Sequence, residues 1–520
     1  MMCVRTWPVV LGWLKRLNPE INGLDGTQCN LVDPSDASSD NICVTDQGAL
    51  VDPDPSHSLS GTAFEIYGTK SVAAEDEHNP DKVTMGGFVA TEIQNKGEAE
   101  WGPHIMDCLA PEHVPVISTL ATEFALFDRF FAGIPGPTIP NRLFGMSATS
   151  QGYSTNDHRR IALGWQQEPM FRLVEDVGLD WRVYFQDAAT PWLFKWGRTK
   201  ERLAKSRQLH TFKSDVAAGD LPALTWIDPS YLDMPELGFP ASDQHPSHDV
   251  AEGEALIKMV YEALRASPVW NETALVVTYD EHGGFFDHVP TPVAGVPSPD
   301  GIACVDCAPE AGSFNFTRLG VRIPAIVASP WVPKGTLVHG PDPASAPSPT
   351  SEYELSSLSA TVKELFGAPA FLNARDAWAM PLHGVFEDSS LAAPRTDCPL
   401  ALPEVWTGDA GDAALPPAAR RAARAAHVAA GGDGASQAPV SELQLELLVL
   451  VEGLASEPGV VVDGSSEEEG GEEPADGGAA RLAAAKARLE ASGALATEGA
   501  AGRYMLARVE AALAAAAARR

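Results

Sequence analysis

The sequence predicts an α/β fold, and three observations predict it: short apolar runs with β-branched residues, helical spacing along other stretches, and ample core material. The chain has 520 residues, 44% of them hydrophobic, enough for one large α/β domain with additions. The runs that suit strands are Trp181 to Phe185, Leu224 to Ile227, Leu275 to Tyr279 and Ile323 to Ala328. Apolar residues three or four apart predict helices over Val114 to Phe124 and Pro169 to Val177. A further apolar stripe runs through Val250, Ile257, Val260, Tyr261 and Leu264.

Three segments carry chemistry. In PGPTIPNR, Pro135 to Arg142, three prolines fix the backbone around Thr138 and leave its hydroxyl on a rigid turn before a helix predicted from Asn141. A threonine hydroxyl is a weak nucleophile until a base or a cation activates it. In SDQHPSHD, Ser242 to Asp249, His245 and His248 stand just ahead of the helical stripe, with Ser247 or Asp249 as its cap. Taken singly, either histidine reads first as an ordinary capping or packing residue. In NETALVVTYDEHGGFFDHVP, Asn271 to Pro290, the run Ala274 to Val277 is bounded downstream by Gly283 and Gly284. It suits a fully covered strand of a parallel sheet, which delivers ligands at its carboxyl end. Asp280 and Glu281 sit there, followed by His282, Asp287 and His288. An Asp-Glu pair alone is often a solvated turn; beside the other two segments it has the composition of a metal-assisted hydrolytic site.

TIPNR, DQHPSHD, DEHGGFFDHVP and GVRIPAIVASPWVPKGT (Gly320 to Thr336), in that order, resemble the plant-type non-specific phospholipases C. These belong to the phosphoesterase family, which also holds bacterial phospholipases C and an acid phosphatase branch. The likeness begins near Leu11 in LGWLKRLNPEINGL and includes DPDPSHS near His57 and DAWAMPL near Trp378. It continues weakly into SELQLELLVL after Ser441. Several separate motifs in one order are far more specific than a single match.

The resemblance implies a three-layer α/β/α sandwich similar to alkaline phosphatase, with a helical C-terminal region. It also implies a phospholipase C reaction through a phosphothreonine, releasing diacylglycerol and a phosphorylated headgroup. Carried over, Thr138 is the nucleophile, with Asn141 and Arg142 shaping the turn and contacting phosphate. Asp280, Glu281 and Thr138 hold a divalent metal ion whose identity the motifs leave open. His57, His245 and His248 orient phosphate oxygens or protonate the leaving alcohol, and His282, Asp287 and His288 are further candidates. The substrate is a phospholipid, reached through peripheral membrane contact. Alternatives are a phosphomonoesterase like the acid phosphatase branch, or an inactive relative that binds lipid or protein.

Two departures bear on these expectations. Members of the family begin with a strand leading into a Glu-Asn-Arg-Ser-Phe-Asp-His motif, whose Glu and Asn also ligate the metal. Only MMCVRTWPVV precedes Leu11 here; an incomplete or alternative start, or lost catalysis, would follow. In SEYELSSLSATVKELFG the family has His after Glu, whereas Leu355 follows Glu354 here, which makes Glu354 a less certain site residue.

The expected organisation is a phosphoesterase domain over 1–406 and an Ala-rich, mostly helical region over 407–520. Helical readings fall at Ser441 to Leu454, Ala479 to Glu490 and Tyr504 to Arg520, with an acidic linker over 464–478. These helices read as packing on the main domain, since their polar faces are not strongly basic. The formal net charge of -33 excludes nucleic acid as a partner and favours zwitterionic or neutral lipid surfaces over anionic ones. Seven cysteines are too scattered for a disulfide scaffold. Cys304 and Cys307 read as free thiols or one local disulfide, not zinc ligands. No stretch is long and apolar enough to span a bilayer, and the start is a poor signal peptide. The expectation is a cytoplasmic or peripheral membrane protein of open oligomeric state, with a signal peptide still possible upstream of an incomplete start.

Overall fold

The strands are short, and WRVYF, LTWI and LVVT form where β-branched and aromatic residues cluster. In chain order they are β1 (Cys29–Leu31), β2 (Asn41–Cys43), β3 (Ala125–Phe127), β4 (Phe130–Phe131), β5 (Trp181–Phe185), β6 (Ser206–Gln208), β7 (Leu224–Ile227), β8 (Leu275–Thr278), β9 (Ala325–Ala328), β10 (Leu337–Val338) and β11 (Tyr353–Glu354). The structure, a computed structural model, describes residues 11–48, 54–232, 240–307, 314–387, 391–406 and scattered positions from 444 to 509. With helices between the strands, it is a mixed α/β protein.

The chain divides into two compact units. One comprises 1–155, 216–220 and 243–406, and the other 156–215, 221–242 and 407–520. In the first, a four-stranded sheet has the order β10-β3-β9-β8. β9 lies antiparallel to both β3 and β8, while β10 runs parallel to β3. β4 and β11 form a parallel pair, and β1 with β2 a hairpin that places Cys29 opposite Cys43. In the second unit, β6-β5-β7 is a wholly parallel sheet whose central strand is buried along its length.

The expected parallel, fully covered strand at 274–277 is corrected. Among the described residues β8 is the terminal strand of a mixed sheet, paired antiparallel to β9, and its first two residues are only half-buried. An apolar run reports burial, not the direction of its partner. β9 begins one residue after Pro324, which has no N–H to give to a ladder. The helix predicted from Asn141 instead starts at Thr138 (Thr138–Ser147). Pro140 is tolerated there because first-turn N–H groups have no intrahelical acceptor.

Other helices fall close to their predicted ranges, at Pro115–Glu123 and Phe171–Asp176. The helix Val250–Arg265 is capped by Asp249, whose side chain accepts from the Ala251 N–H. It packs against Pro115–Glu123, and its buried Glu254 accepts the Val116 and Ile117 N–H groups at 2.7 and 2.9 Å, ending that helix's open donors. Cys304 and Cys307 form a local disulfide, and Cys29 with Cys43 forms a second that the sequence did not suggest.

Of the C-terminal helical readings, Gln444, Leu447, Leu448, Leu450, Val451, Leu489, Met505 and Val509 are helical and buried. The linker at 464–478 lies outside the described residues.

Candidate active site

Thr138 opens its helix directly after Pro137, and no side chain caps that end. The first-turn N–H groups and the positive end of the helix dipole therefore face the same region as the Thr138 backbone, an arrangement suited to phosphate. Asn141 locks the turn that leads there. Its Oδ1 accepts the Ile134 N–H at 3.0 Å, and its Nδ2 donates to the carbonyls of Ile134, Gly136 and Pro137 at 3.2, 2.8 and 3.2 Å. Its amide is thus committed to the backbone, and it shapes the turn rather than reaching phosphate.

Arg142, one helical turn beyond Thr138 and on the same face, joins this helix to the end of β8. Its Nε donates to Asp280 Oδ2 at 2.8 Å, with both side chains buried. Asp280 Oδ1 accepts the Glu281 N–H at 3.0 Å, and Glu281 Oε2 accepts the Gly283 N–H at 2.6 Å. Glu281 Oε1 is buried with no hydrogen-bond partner. Burial pushes the Glu281 carboxyl up, His57 and His282 pull it back, and the neighbouring Asp280 adds to the rise.

Gly283 and Gly284 turn the chain with φ of 66° and 73°, backbone angles that glycine adopts freely. A Cβ on Gly284 would lie 2.5 Å from the Ser56 carbonyl oxygen. Glycine here lets the acidic turn press against the segment carrying His57.

The histidine loop is tied to the same strand end. Tyr279 donates its hydroxyl to Gln244 Oε1, and Gln244 Nε2 donates to the Val250 carbonyl at 2.9 Å. Asp243 Oδ1 meets His248 Nδ1 at 2.6 Å and accepts the His245 N–H at 3.2 Å. The His245 and His248 rings are 5.4 Å apart. His57 Nδ1 is hydrogen-bonded to the Pro55 carbonyl at 2.9 Å and His245 Nδ1 to Ser247 Oγ at 3.0 Å, and Asp54 Oδ2 lies 3.6 Å from His245 Nε2 and 3.7 Å from His57 Nδ1.

The structure thus joins Arg142, one turn along the helix from Thr138, to Asp280 beside Glu281, and sets His57 and His245 near Asp54 and His248 against Asp243. His282 bonds Glu65 Oε2 through Nε2 at 2.7 Å, while its Nδ1 lies 3.6 Å from Glu281 Oε2. Asp287 spends both oxygens on Arg322, at 2.7 Å each, and His288 bonds Asn22 at 3.1 Å. Glu354 is buried with Oε1 unpartnered, burial pushing its carboxyl up against the pull of Arg375, while Leu355 belongs to the core.

The model of the Phosphoesterase family matches residues 4–369. The chain belongs to the phosphoesterase family. Similar members of the phosphoesterase family include non-specific phospholipase C6 of Arabidopsis thaliana, 45% identical over 407 residues, covering 77% of this chain and 73% of that one. Non-specific phospholipase C1 of the same plant is 43% identical over 77% of this chain and 72% of its own. Non-hemolytic phospholipase C of Burkholderia pseudomallei is 28% identical over 46% and 40%. Among solved structures Ps i-CgsB, at 14% identity over 51% of this chain and 70% of that one, has a TM-score of 0.30.

This phosphoesterase chain offers a divalent cation part of a shell. The open Glu281 Oε1 beside Asp280 suits a hard cation. Among the described residues, however, no third His, Cys, Asp or Glu completes a close set with them. The set that does occur is Cys304, Asp306 and Cys307, whose cysteines are joined as a disulfide.

Asp54, Glu65, Asp243 and Gln244 were not singled out from sequence. Asp243 and Gln244 lie inside a motif already under scrutiny, so an acidic residue five before His248 was the available signal. Glu65, 217 residues from its partner His282, left none.

Proposed function

We propose that this phosphoesterase is a phospholipase C, cleaving glycerophospholipids on the glycerol side of phosphate through a phosphothreonine. In this reading residues 1–406 are the catalytic domain, built as an alkaline-phosphatase-like three-layer sandwich, and 407–520 are an appended helical region. The observation that carries the proposal is the buried Arg142–Asp280 bridge. It fastens the helix headed by Thr138 to the strand end that presents Glu281. The relatives named phospholipase C support the substrate class.

Thr138 Oγ1, its proton released to solvent, attacks phosphorus, and the P–O bond to diacylglycerol breaks. His248 is the proposed acid, because Asp243 fixes its Nδ1 and so orients the ring that delivers a proton to the departing oxygen. His57 and His245, held beside Asp54, would add positive charge near the phosphate oxygens together with the open helix terminus. Water then attacks the phosphothreonine, His248 takes its proton, and the phosphorylated headgroup leaves. A divalent cation on Asp280, Glu281 and Thr138 would neutralise phosphoryl charge and ease ionisation of the hydroxyl. No helix among the described residues is long and apolar enough to cross a membrane, so lipid would be met by peripheral contact.

The test is turnover of phosphatidylcholine vesicles and of a chromogenic phosphate monoester, with Thr138→Ala as control. Diacylglycerol release that falls at least about 10³-fold in the variant supports the proposal. Hydrolysis of the monoester alone would assign the acid phosphatase reading, and turnover unchanged in Thr138→Ala would remove the phosphothreonine.

A further inference from the structure

We infer that Glu65 is a positioning residue for the reaction, acting through His282 on the open carboxylate of Glu281. The inference rests on the proposed phospholipase C reading of this site. Glu65 lies in the helix Leu59–Tyr67, which begins two residues after His57 and is capped by Ser58. Its Oε2 meets His282 Nε2 at 2.7 Å, and both side chains are 1% exposed. The other ring nitrogen, Nδ1, lies 3.6 Å from Glu281 Oε2.

That oxygen is already held at 2.6 Å by the Gly283 N–H. Glu281 therefore has one oxygen gripped from the backbone and faced by an imidazole, while Oε1 is left without a partner. The imidazole cannot slide, because Phe88 meets its ring edge-on with centroids 6.3 Å apart and Glu65 holds its far side. Phe88 itself is fixed by Asn30, whose Oδ1 accepts the Phe88 N–H at 3.0 Å.

Burial pushes the Glu65 carboxyl up and His282 down to about 4; such a buried polar pair is costly to desolvate, and apolar replacements of similar shape often stabilise a fold as well or better. Stability alone thus gives little reason for this pair. Orientation gives a direct one. A histidine whose second nitrogen is bonded to a carboxylate has a fixed ring and tautomer, and loosening such a partner weakens the group that depends on it. The same helix begins two residues after His57, which acts electrostatically on Glu65, Glu281 and His282. Glu65 therefore anchors the imidazole that backs Glu281.

The experiment is a double-variant cycle in the intact chain. Glu65→Ala should lower kcat on phosphatidylcholine vesicles about 10- to 100-fold with KM little changed, and Glu65→Gln, which keeps a polar partner for Nε2, should recover most of the loss. In a His282→Asn background, Glu65→Ala should cost nothing further. Circular dichroism and thermal midpoints identify any variant that fails to fold, and Glu65→Gln keeps the shape of the site. Multiplicative losses in the cycle, or full activity of Glu65→Ala, would overturn the inference. Nitrogen-15 NMR of the His282 ring supplies an arm independent of turnover: one fixed tautomer in the wild type and tautomer exchange in Glu65→Ala support the pairing, and identical spectra refute it. An inactive wild type with the expected ring spectra would fault the phospholipase C reading while keeping the pairing.

Discussion

Asparagine at position 287 separates a structural carboxylate from a catalytic one. Asp287 and Arg322 are both fully buried, and the guanidinium gives Nε and one terminal nitrogen to the two carboxylate oxygens at 2.7 Å. The remaining terminal nitrogen reaches the Asn22 and Asp128 carbonyls at 3.0 and 2.6 Å. Asp287→Asn keeps the shape and leaves a buried arginine without its counter-charge, which costs about 3–5 kcal/mol. At roughly 2–4 °C per kcal/mol for a large domain, the thermal midpoint should fall by about 6–20 °C.

The pH dependence has a definite sign. Burial pushes the Asp287 carboxyl up, but the charge and hydrogen bonds of Arg322 outweigh it and hold the group below its usual range. A depressed folded value means that the stabilisation is complete above the ordinary carboxylate value of about 3.9 and is lost as pH falls through the folded one. The gap between wild type and variant should therefore be full at neutral pH and narrow in acid. Thermal melts from neutral pH down to about pH 3, with phosphatidylcholine turnover at a temperature where both remain folded, provide the assay. Wild-type stability combined with lost turnover would refute the reasoning and move Asp287 into the reaction.

Asp243→Asn should lower kcat by about 10²–10⁴-fold by freeing the His248 tautomer, with its thermal midpoint near wild type; unchanged kcat would mean another imidazole supplies the proton. Asn141→Ala removes an amide that satisfies one N–H and three carbonyls before Thr138, and should cost about 2–4 kcal/mol in thermal or denaturant unfolding. Burial pushes Glu254 up to about 8, against the pull of the Val116 and Ile117 N–H groups. Its stabilisation is present below the ordinary glutamate value and lost as pH rises through about 8. Melts from pH 5 to 8 should thus decline more steeply for wild type than for Glu254→Gln, and parallel slopes would count against a neutral carboxyl in the fold.

Local pattern made several elements legible. WRVYF and LTWI are strands at the residues predicted, because β-branched and aromatic side chains cluster in both. LVVTY was legible as a strand, but its antiparallel pairing with β9 was not, since pairing direction depends on the path of the chain between the two strands. The start of the Thr138 helix was placed late because Pro140 suggested a break, whereas proline in a first turn costs no hydrogen bond. In the site, the motif residues were legible by type and order. Their sorting was not: nothing in DEHGGFFDH says that Glu281 keeps an open oxygen while His282 turns to Glu65 and Asp287 to Arg322.

By itself the sequence determined the α/β class, the family and the short segments that carry hydroxyl, carboxylate and imidazole groups, because these are properties of local pattern and motif order. Tertiary structure alone decided which carboxylate each base or guanidinium takes as its partner. Glu65 with His282, Asp54 with His57 and His245, and Arg142 with Asp280 meet only when distant segments close on one another. In a dry interior every buried charge must find a partner, and the fold chooses which.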